Sequence, residues 1–547
     1  MNRRSFLQTL GGTSLACASA LPVSRTQSQP KRPNIVLILA DDMGCSDLGC
    51  YGSEIATPNI DALARRGIRF TQFQNNARCC PSRATILTGL YSHQTGIGGM
   101  TFTDGHVPGY RGDLNRQCVT IAEVLRSAGY HTLMTGKWHV THDQSESFDD
   151  NHNWPLQRGF EKYFGTIAGA GSYYDPYFLV RDNRHIQAGR KNFYYTDALA
   201  ENAANFIGEY AAKPEPFFLY AAFTAPHWPL QAPPAEIEKY KNRYSTGWDD
   251  LRHERHRRMI DMGIVDARWP LSPRDPRVPE WKDAKYKQWQ ARRMAVYAAQ
   301  IDRLDQGVGR ILRKLKETGV EDNTVVLFLS DNGACAEEAQ ANWNKIPYVP
   351  EKTRDGRPMH VGNDAAFMPG PEDIYQSYGL PWANASNTPL RLYKHYDHEG
   401  GISTPLIVAG AGIVDKPGSL THQHGHIIDI MPTLAEIAGA KYPKTFGGEK
   451  ILPVEGLSLL PVLQGNQRKG HDAVFWEHEG NRAVRQGKWK IVSQHPPDKW
   501  ELYDMEADRT ELHDLSAQYP ERVKEMAALW LTWANRCHVF PKPEVKK

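Results

Sequence analysis

Short uninterrupted apolar runs alternate along the chain with segments whose apolar residues recur at helical spacing. The first run, Ile35-Val36-Leu37-Ile38-Leu39-Ala40, has no polar interruption, which predicts a strand buried on both faces. Comparable runs predict strands at 70–73, 130–135, 216–223, 324–330 and 404–409. Between them, Pro58–Gly67 and Ile121–Gly129 have helical spacing and stop at glycine, and Tyr297–Leu315 is a longer amphipathic helix. Strands alternating with helices over roughly 400 residues predict a doubly wound α/β fold with a mostly parallel sheet. Residues 230–290, charged and Pro-bearing, read as surface helices and a long loop. Residues 336–390, rich in Pro, Gly, Asn and aromatics, read as an insertion that covers a site. After about residue 440 the texture changes. Short strands at 474–478, 482–484 and 488–493 and a closing helix at 519–533 predict a smaller α+β C-terminal domain with an antiparallel sheet. The expected division is a leader at 1–30, an α/β domain at 31–445 and the C-terminal domain at 446–547.

The apolar runs are more informative where they stop. The first ends in Asp41-Asp42, and the run at 70–73 leads to Cys79-Cys80-Pro81-Ser82-Arg83. The others deliver Lys137-Trp138-His139, His227-Trp228-Pro229 and Asp331-Asn332-Gly333, and Lys394 precedes the last. Taken singly, an Asp after a strand is often a helix cap, a lone His a satisfied polar group and a Lys a solvated one. Together they converge on one edge of one sheet, where open α/β sheets place their ligands. Asp41, Asp42, Asp331 and Asn332 offer hard oxygen ligands, which suit Ca²⁺ or, less well, Mg²⁺, and do not suit zinc. Arg83, Lys137 and Lys394 supply positive charge for an oxyanion, and His139 and His227 can exchange protons near neutral pH. Cys79, at the start of a predicted helix, stands where a reactive thiol or an anion is stabilised. These residues alone describe a metal-assisted hydrolase of an anionic ester.

Charge and cysteine usage narrow the class further. With 65 basic and 62 acidic residues the formal net charge is +3, and no basic block of the kind that tracks a phosphate backbone is present, which argues against nucleic acid. The cluster Arg252–Arg258 is interrupted by an acid and reads as a solvated helix face. Eight cysteines show no regular framework, although Cys45 and Cys50 are spaced so that a disulfide is open to them. Arg3-Arg4 before a mildly apolar run and Ala18-Ser19-Ala20 reads as an export signal similar to the twin-arginine kind, so the mature protein is expected in the periplasm or secreted. No later run reaches the roughly 20 apolar residues of a membrane span.

Cys79-Cys80-Pro81-Ser82-Arg83 resembles the Cys-x-Pro-Ser-Arg signature of type I sulfatases, in the alkaline phosphatase-like superfamily. Only Cys79 has Pro two places on and Arg four places on, which sets the register. The order Asp-Asp, Cys-x-Pro-Ser-Arg, Gly-Lys-Trp-His, His-Trp-Pro, Asp-Asn-Gly, Lys and Glu-Gly-Gly runs like that family's over about 33–500. Within it the chain looks most like the arylsulfatase branch, through Ser386-Asn387-Thr388-Pro389 and the 336–390 insertion. The resemblance implies that Cys79 is converted to formylglycine by a formylglycine-generating enzyme. It also implies that Asp41, Asp42, Asp331 and Asn332 hold Ca²⁺ together with residue 79. By the same resemblance, the aldehyde hydrate attacks sulfur with help from Asp331, while Arg83, Lys137 and Lys394 neutralise the sulfate. His227, with Lys394, protonates the departing alcohol, and His139 helps expel sulfate. The resemblance implies an aryl or a carbohydrate sulfate as substrate. Tyr173-Tyr174, Trp343, Trp382 and the stretch Trp476–Arg482 are candidates for the pocket rim, with His478 and Asn481 as substrate-binding residues. Many members carry Arg soon after Glu-Gly-Gly, where this chain has Ile402-Ser403-Thr404. The rival readings are a phosphodiesterase or phosphonate monoester hydrolase of the same superfamily, and a non-catalytic glycan-binding relative. Lys137, His139 and Lys394 together favour sulfate.

Overall fold

β1 (Asn34–Ala40) is buried along its whole length and stands near the middle of the sheet on which the molecule is built. The computed structural model describes residues 32–102, 106–142, 150–189 and 192–543, so the export-signal expectation falls outside the described residues. From Arg32 onward the chain forms one compact unit. Its large sheet adds β2 (Gly67–Gln74), β3 (His131–Gly136), β4 (Lys162–Thr166), β5 (Leu179–Arg181), β6 (Arg184–His185) and β7 (Phe217–Ala222). It is completed by β8 (Thr324–Ser330), β9 (Ser403–Gly410), β10 (Leu420–Thr421) and β11 (Gly425–His426). The spatial order is β10-β2-β9-β8-β1-β7-β3-β4-β5-β6, with β11 also on β2.

The centre, β8-β1-β7-β3-β4, is parallel. β9 runs antiparallel to both β8 and β2, and β5 and β6 return antiparallel beyond β4. The sheet is thus mostly parallel through its middle and mixed at its flanks. Side chains of β1 alternate between two cores: Val36 and Ile38 enter one, Ile35, Leu37 and Leu39 the other. Helices α1 (Pro58–Arg66), α2 (Cys79–Thr88), α3 (Ile121–Ser127), α4 (Tyr195–Tyr210), α5 (Gly247–Asp261) and α6 (Lys287–Glu317) belong to this part of the molecule. Leu304 and Ile311 of α6 are buried with Val36, whereas Ile86 and Leu87 of α2 are buried with Leu37. Helices therefore cover both faces, as a doubly wound sheet requires.

The C-terminal region carries its own sheet: β12 (Val474–His478), β13 (Asn481–Gln486), β14 (Trp489–Ser493) and β15 (Trp500–Asp504), antiparallel in chain order. α7 (Pro520–Arg536) closes one face, with Trp530 and Trp533 packed against Val484, Ile491 and Leu502. The other face, through Trp476, Ala483, Val492 and Tyr503, packs on Ala77 and Ile402.

Several expectations change. α6 begins ten residues before Tyr297, because Arg293 is buried and donates to the Ser377 carbonyl and Glu338, masking the helical pattern. The basic cluster Arg252–Arg258 is not a solvated face: Arg255 is fully buried, 2.6 Å from Asp47 and 2.9 Å from Glu54. β15 was absent from the predicted strands, since Trp500-Glu501-Leu502-Tyr503-Asp504 has charged residues on its open face. Cys45 and Cys50 are both free thiols. No described helix is long and apolar enough to cross a membrane.

Candidate active site

β1, β3, β7 and β8 are parallel, so their carboxyl ends share one edge, and the predicted residues arrive there together. Asp41 and Asp42 leave β1, with Asp42 at φ 63°, and Asp331-Asn332 leaves β8. β3 ends at Gly136, φ 108°, where a Cβ would come within 1.8 Å of the Ala222 carbonyl oxygen. Only glycine permits that approach, and the turn aims Lys137 back at Asp41. Cys79 is the first residue of α2, fully enclosed at 2 % exposure. Gly169 lies so close to the His139 ring that a Cβ would stand 2.2 Å from it.

All ten predicted catalytic and metal residues are buried in one network. Lys137 Nζ donates to Asp41 Oδ2 at 2.7 Å, and Lys394 Nζ donates to Asp42 Oδ2 at 2.8 Å. The Arg83 guanidinium forks onto Asp331 Oδ2 at 2.8 and 3.1 Å. Asn332 Nδ2 donates to Asp42 Oδ1 at 2.7 Å, and His227 Nε2 stands 3.3 Å from Asp42 Oδ2. Cys80 Sγ lies 3.2 Å from His139 Nε2.

Electrostatics follow from this crowding. Burial pushes Asp331 up to about 7, and the neighbouring Asp41 adds to the rise. Asp41 is raised as well, chiefly by burial, despite Lys137 and Arg83. Asp42 is held below the usual carboxylate range: burial works against this, but Lys394 and His227 outweigh it. Burial pushes His227 down to about 4, leaving a neutral imidazole at neutral pH. The Cys80 thiol, followed by Lys137 and His139, holds Cys79 well below the usual thiol range.

The carboxylates also test whether a cation fits. Asp41 Oδ1 and Asn332 Oδ1 are buried without a hydrogen-bond partner among the described residues, a costly state for polar atoms. A divalent cation among these hard oxygens would satisfy both and supply the positive charge that the raised Asp41 and Asp331 lack. The donor set therefore fits such an ion.

A narrow cavity of about 30 Å³ reaches Cys79, His139, His227 and Lys394. Its wall also includes Arg78, Met100, Phe102, Trp228, Glu337 and Tyr348, none of which was predicted. Arg78 adjoins Cys79 and Trp228 adjoins His227, so adjacency could have indicated both. Glu337 lies in the aperiodic 336–390 segment and carried no signal. Glu337 accepts from Trp228 Nε1 at 2.7 Å and from Arg78 at 2.9 Å, and Lys394 Nζ is 3.8 Å away. Trp343 is not in the cavity wall and packs on Trp228, ring centroids 4.7 Å apart. Trp382 and Tyr173 are buried in the core instead. His478 and Asn481 do not line the cavity: His478 is enclosed, and Asn481 Nδ2 donates to the His395 carbonyl at 3.0 Å. A larger cleft of about 660 Å³, lined by His106, Arg111 and Arg116 among others, contains none of the strand-end residues.

A buried low-pKa thiol, three fixed cations, two imidazoles and a set of hard oxygen ligands at one sheet edge define a hydrolase of tetrahedral oxyanion esters. The chain belongs to the sulfatase family, whose model matches residues 33–440, and a model of the N-sulphoglucosamine sulphohydrolase C-terminal region matches 391–530. It is a sulfuric ester hydrolase. It is 34% identical over 555 residues to an uncharacterised sulfatase of Schizosaccharomyces pombe, covering 95% of this chain and 96% of that one. It is also 34% identical over 457 residues to an arylsulfatase of Klebsiella aerogenes, covering 81% and 94%. Among solved structures, Ps i-CgsB in complex with k-i-k-neocarrahexaose is similar at TM-score 0.64 and 25% identity, over 92% of this chain and 93% of that one. The phosphonate monoester hydrolase of Agrobacterium radiobacter shares the fold, at TM-score 0.56 and 20% identity over 92% and 96%.

Proposed function

We propose that this sulfatase is exported, calcium-dependent and active through a formylglycine generated from Cys79. The observation that carries the reading is the pair of orphaned oxygens, Asp41 Oδ1 and Asn332 Oδ1, facing the same edge as Cys79. Asp41, Asp42, Asp331 and Asn332 would hold the ion with residue 79, and Ca²⁺ there would supply charge neutralisation for the sulfate. Formylglycine at position 79 would supply an oxygen nucleophile with a second hydroxyl through which sulfate is released.

The chain's own residues do the rest. Lys137, Arg83 and Lys394 bind and orient the sulfate oxygens, positive side chains fixed by burial and so paid little reorganisation at the reacting centre. Lys394, held protonated beside Asp42, supplies the proton for the leaving alcohol, and His227, whose Nε2 faces Asp42, relays it. Asp331 would accept a proton from the nucleophile. His139 moves the proton that accompanies sulfate release. Trp228, Phe102, Met100 and Tyr348 exclude water from the ester side of the pocket and suit an aryl or carbohydrate leaving group. The Arg3-Arg4 leader supports export to the periplasm or beyond.

The test is mass spectrometry across residue 79 on protein co-expressed with a formylglycine-generating enzyme. A mass loss equal to thiol-to-aldehyde conversion at Cys79, and none at Cys80, is expected. An intact Cys79 beside a competent modifying enzyme overturns the mechanism. Chelation of the modified enzyme should abolish sulfate-ester turnover, and Ca²⁺ should restore it better than Mg²⁺.

A further inference from the structure

Beside the cavity, and outside it, His395, His478 and Glu479 bring three metal-binding side chains together, with one donor atom of each within 4.8 Å of the others. Segments distant in sequence supply them. His395 follows Lys394 at φ 83°, and Glu479 stands at φ 51° in the tight turn Glu479-Gly480 between β12 and β13. Left-handed backbone at such side chains is strained and persists where surroundings over-determine it. A two-residue hairpin turn ordinarily takes Asn, Asp or Gly where Glu479 stands.

His478 is 1 % exposed, and neither of its ring nitrogens has a hydrogen-bond partner among the described residues. Its Nε2 lies 3.6 Å from Glu479 Oε1, beyond hydrogen-bond range. His395 Nδ1 lies 2.9 Å from Glu479 Oε2, while its Nε2 lies 3.0 Å from Glu337 Oε1. A carboxylate on the far nitrogen is the support that orients a metal-bound imidazole. Arg78 Nη1 touches both ring nitrogens of His395, 3.2 Å from Nδ1, and opposes a cation here; Glu337 and Glu479 offset it.

We propose that His395, His478 and Glu479 form a site for a divalent transition metal of the zinc class, distinct from the oxygen site at Asp41, Asp42, Asp331 and Asn332. Two imidazoles and one carboxylate leave a fourth tetrahedral position for water. Imidazole donors select Zn²⁺, Cu²⁺ or Ni²⁺ over Ca²⁺ and Mg²⁺. The Glu479 side chain is 51% exposed and opens the site to solvent. Because Glu337 contacts both His395 and Lys394, occupancy is felt at the sulfate pocket.

Crystals of the full chain, held in saturating Ca²⁺ and soaked in Zn²⁺ or Co²⁺, test the site by anomalous scattering. The expected result is a peak about 2.0–2.2 Å from a donor of each residue. Solution titration with Co²⁺, followed by its visible absorption, should show binding weakened more than tenfold in His478→Ala and in Glu479→Gln. Glu479→Gln alters only an exposed turn side chain, so it decides the matter if His478→Ala does not fold. Cys79, Cys80 and His139 form another cluster that soft metals can enter. Anomalous density there alone, or Co²⁺ affinity unchanged in Glu479→Gln, overturns the proposal.

Discussion

Lys394 shows how closely charge is matched at the level of single residues. It is enclosed, pairs with Asp42 at 2.8 Å and stands 3.8 Å from Glu337. Lys394→Ala removes a fixed positive group from the proposed oxyanion pocket, and kcat/KM on a sulfate ester should fall about 10²–10³-fold, the usual loss for one such donor. Circular dichroism of the variant should be unchanged, separating lost catalysis from lost fold. Lys394, like Asp41, Cys79, Lys137 and Asp331, was legible because an apolar run stops or starts beside it. Arg78 and Glu337 were not. Their significance lies in a contact between the Cys79 turn and a segment without periodicity, and no one-dimensional pattern encodes that.

At the level of elements, the β12–β13 hairpin is tied to the segment after α2 through Glu477. That carboxylate lies 2.8 Å from His93 Nε2 and 2.8 Å from Lys542, and accepts from Gly480 N at 2.9 Å. Burial opposes its charge, but His93 and Lys542 prevail and hold it at about 2 against an ordinary 4.5. A depressed acid contributes its stability in full above the unfolded value and loses it as pH falls through the folded one. The contribution, up to about 3 kcal/mol, is present above roughly pH 4.5 and disappears toward pH 2. Urea midpoints of wild type and Glu477→Gln should therefore differ most at pH 6 and draw together only as the pH falls toward 2. Strands such as β1, β7, β8 and β12 were readable from apolar runs. The start of α6 and the whole of β15 were not, because buried arginine and half-open strands break the expected periods.

Across the whole molecule, the C-terminal sheet supports the site from behind. Trp476 donates to the Asn75 carbonyl at 2.8 Å, and its face packs on Ala77, two residues before Cys79. Lys490 of β14 donates to Glu399 at 3.0 Å and to Glu511 at 2.8 Å, all fully buried. Arg509 adds a second cation on Glu399. Ile402 fills the apolar seam between the two sheets, and Arg509 arrives at Glu399 from the C-terminal region. Lys490→Met leaves two enclosed carboxylates short of a partner and should cost about 3–5 kcal/mol, read as a lower denaturant midpoint. None of this coupling was visible in the chain's order, since it joins residues about a hundred positions apart.

Burial of Cys79 also sets a clock. At 2 % exposure, on the first turn of a helix with every residue buried, the side chain is sealed once folding is complete. A catalyst as large as another protein can reach it only on the nascent or unfolded chain. Under the proposed conversion of Cys79, the fraction of active molecules would be decided by a race between the modifying enzyme and the docking of α2. Folded thiol-form protein incubated with that enzyme should stay unconverted, while a free peptide covering 72–90 is converted. Slowing the folding of α2, rather than adding more enzyme afterwards, should then raise the yield.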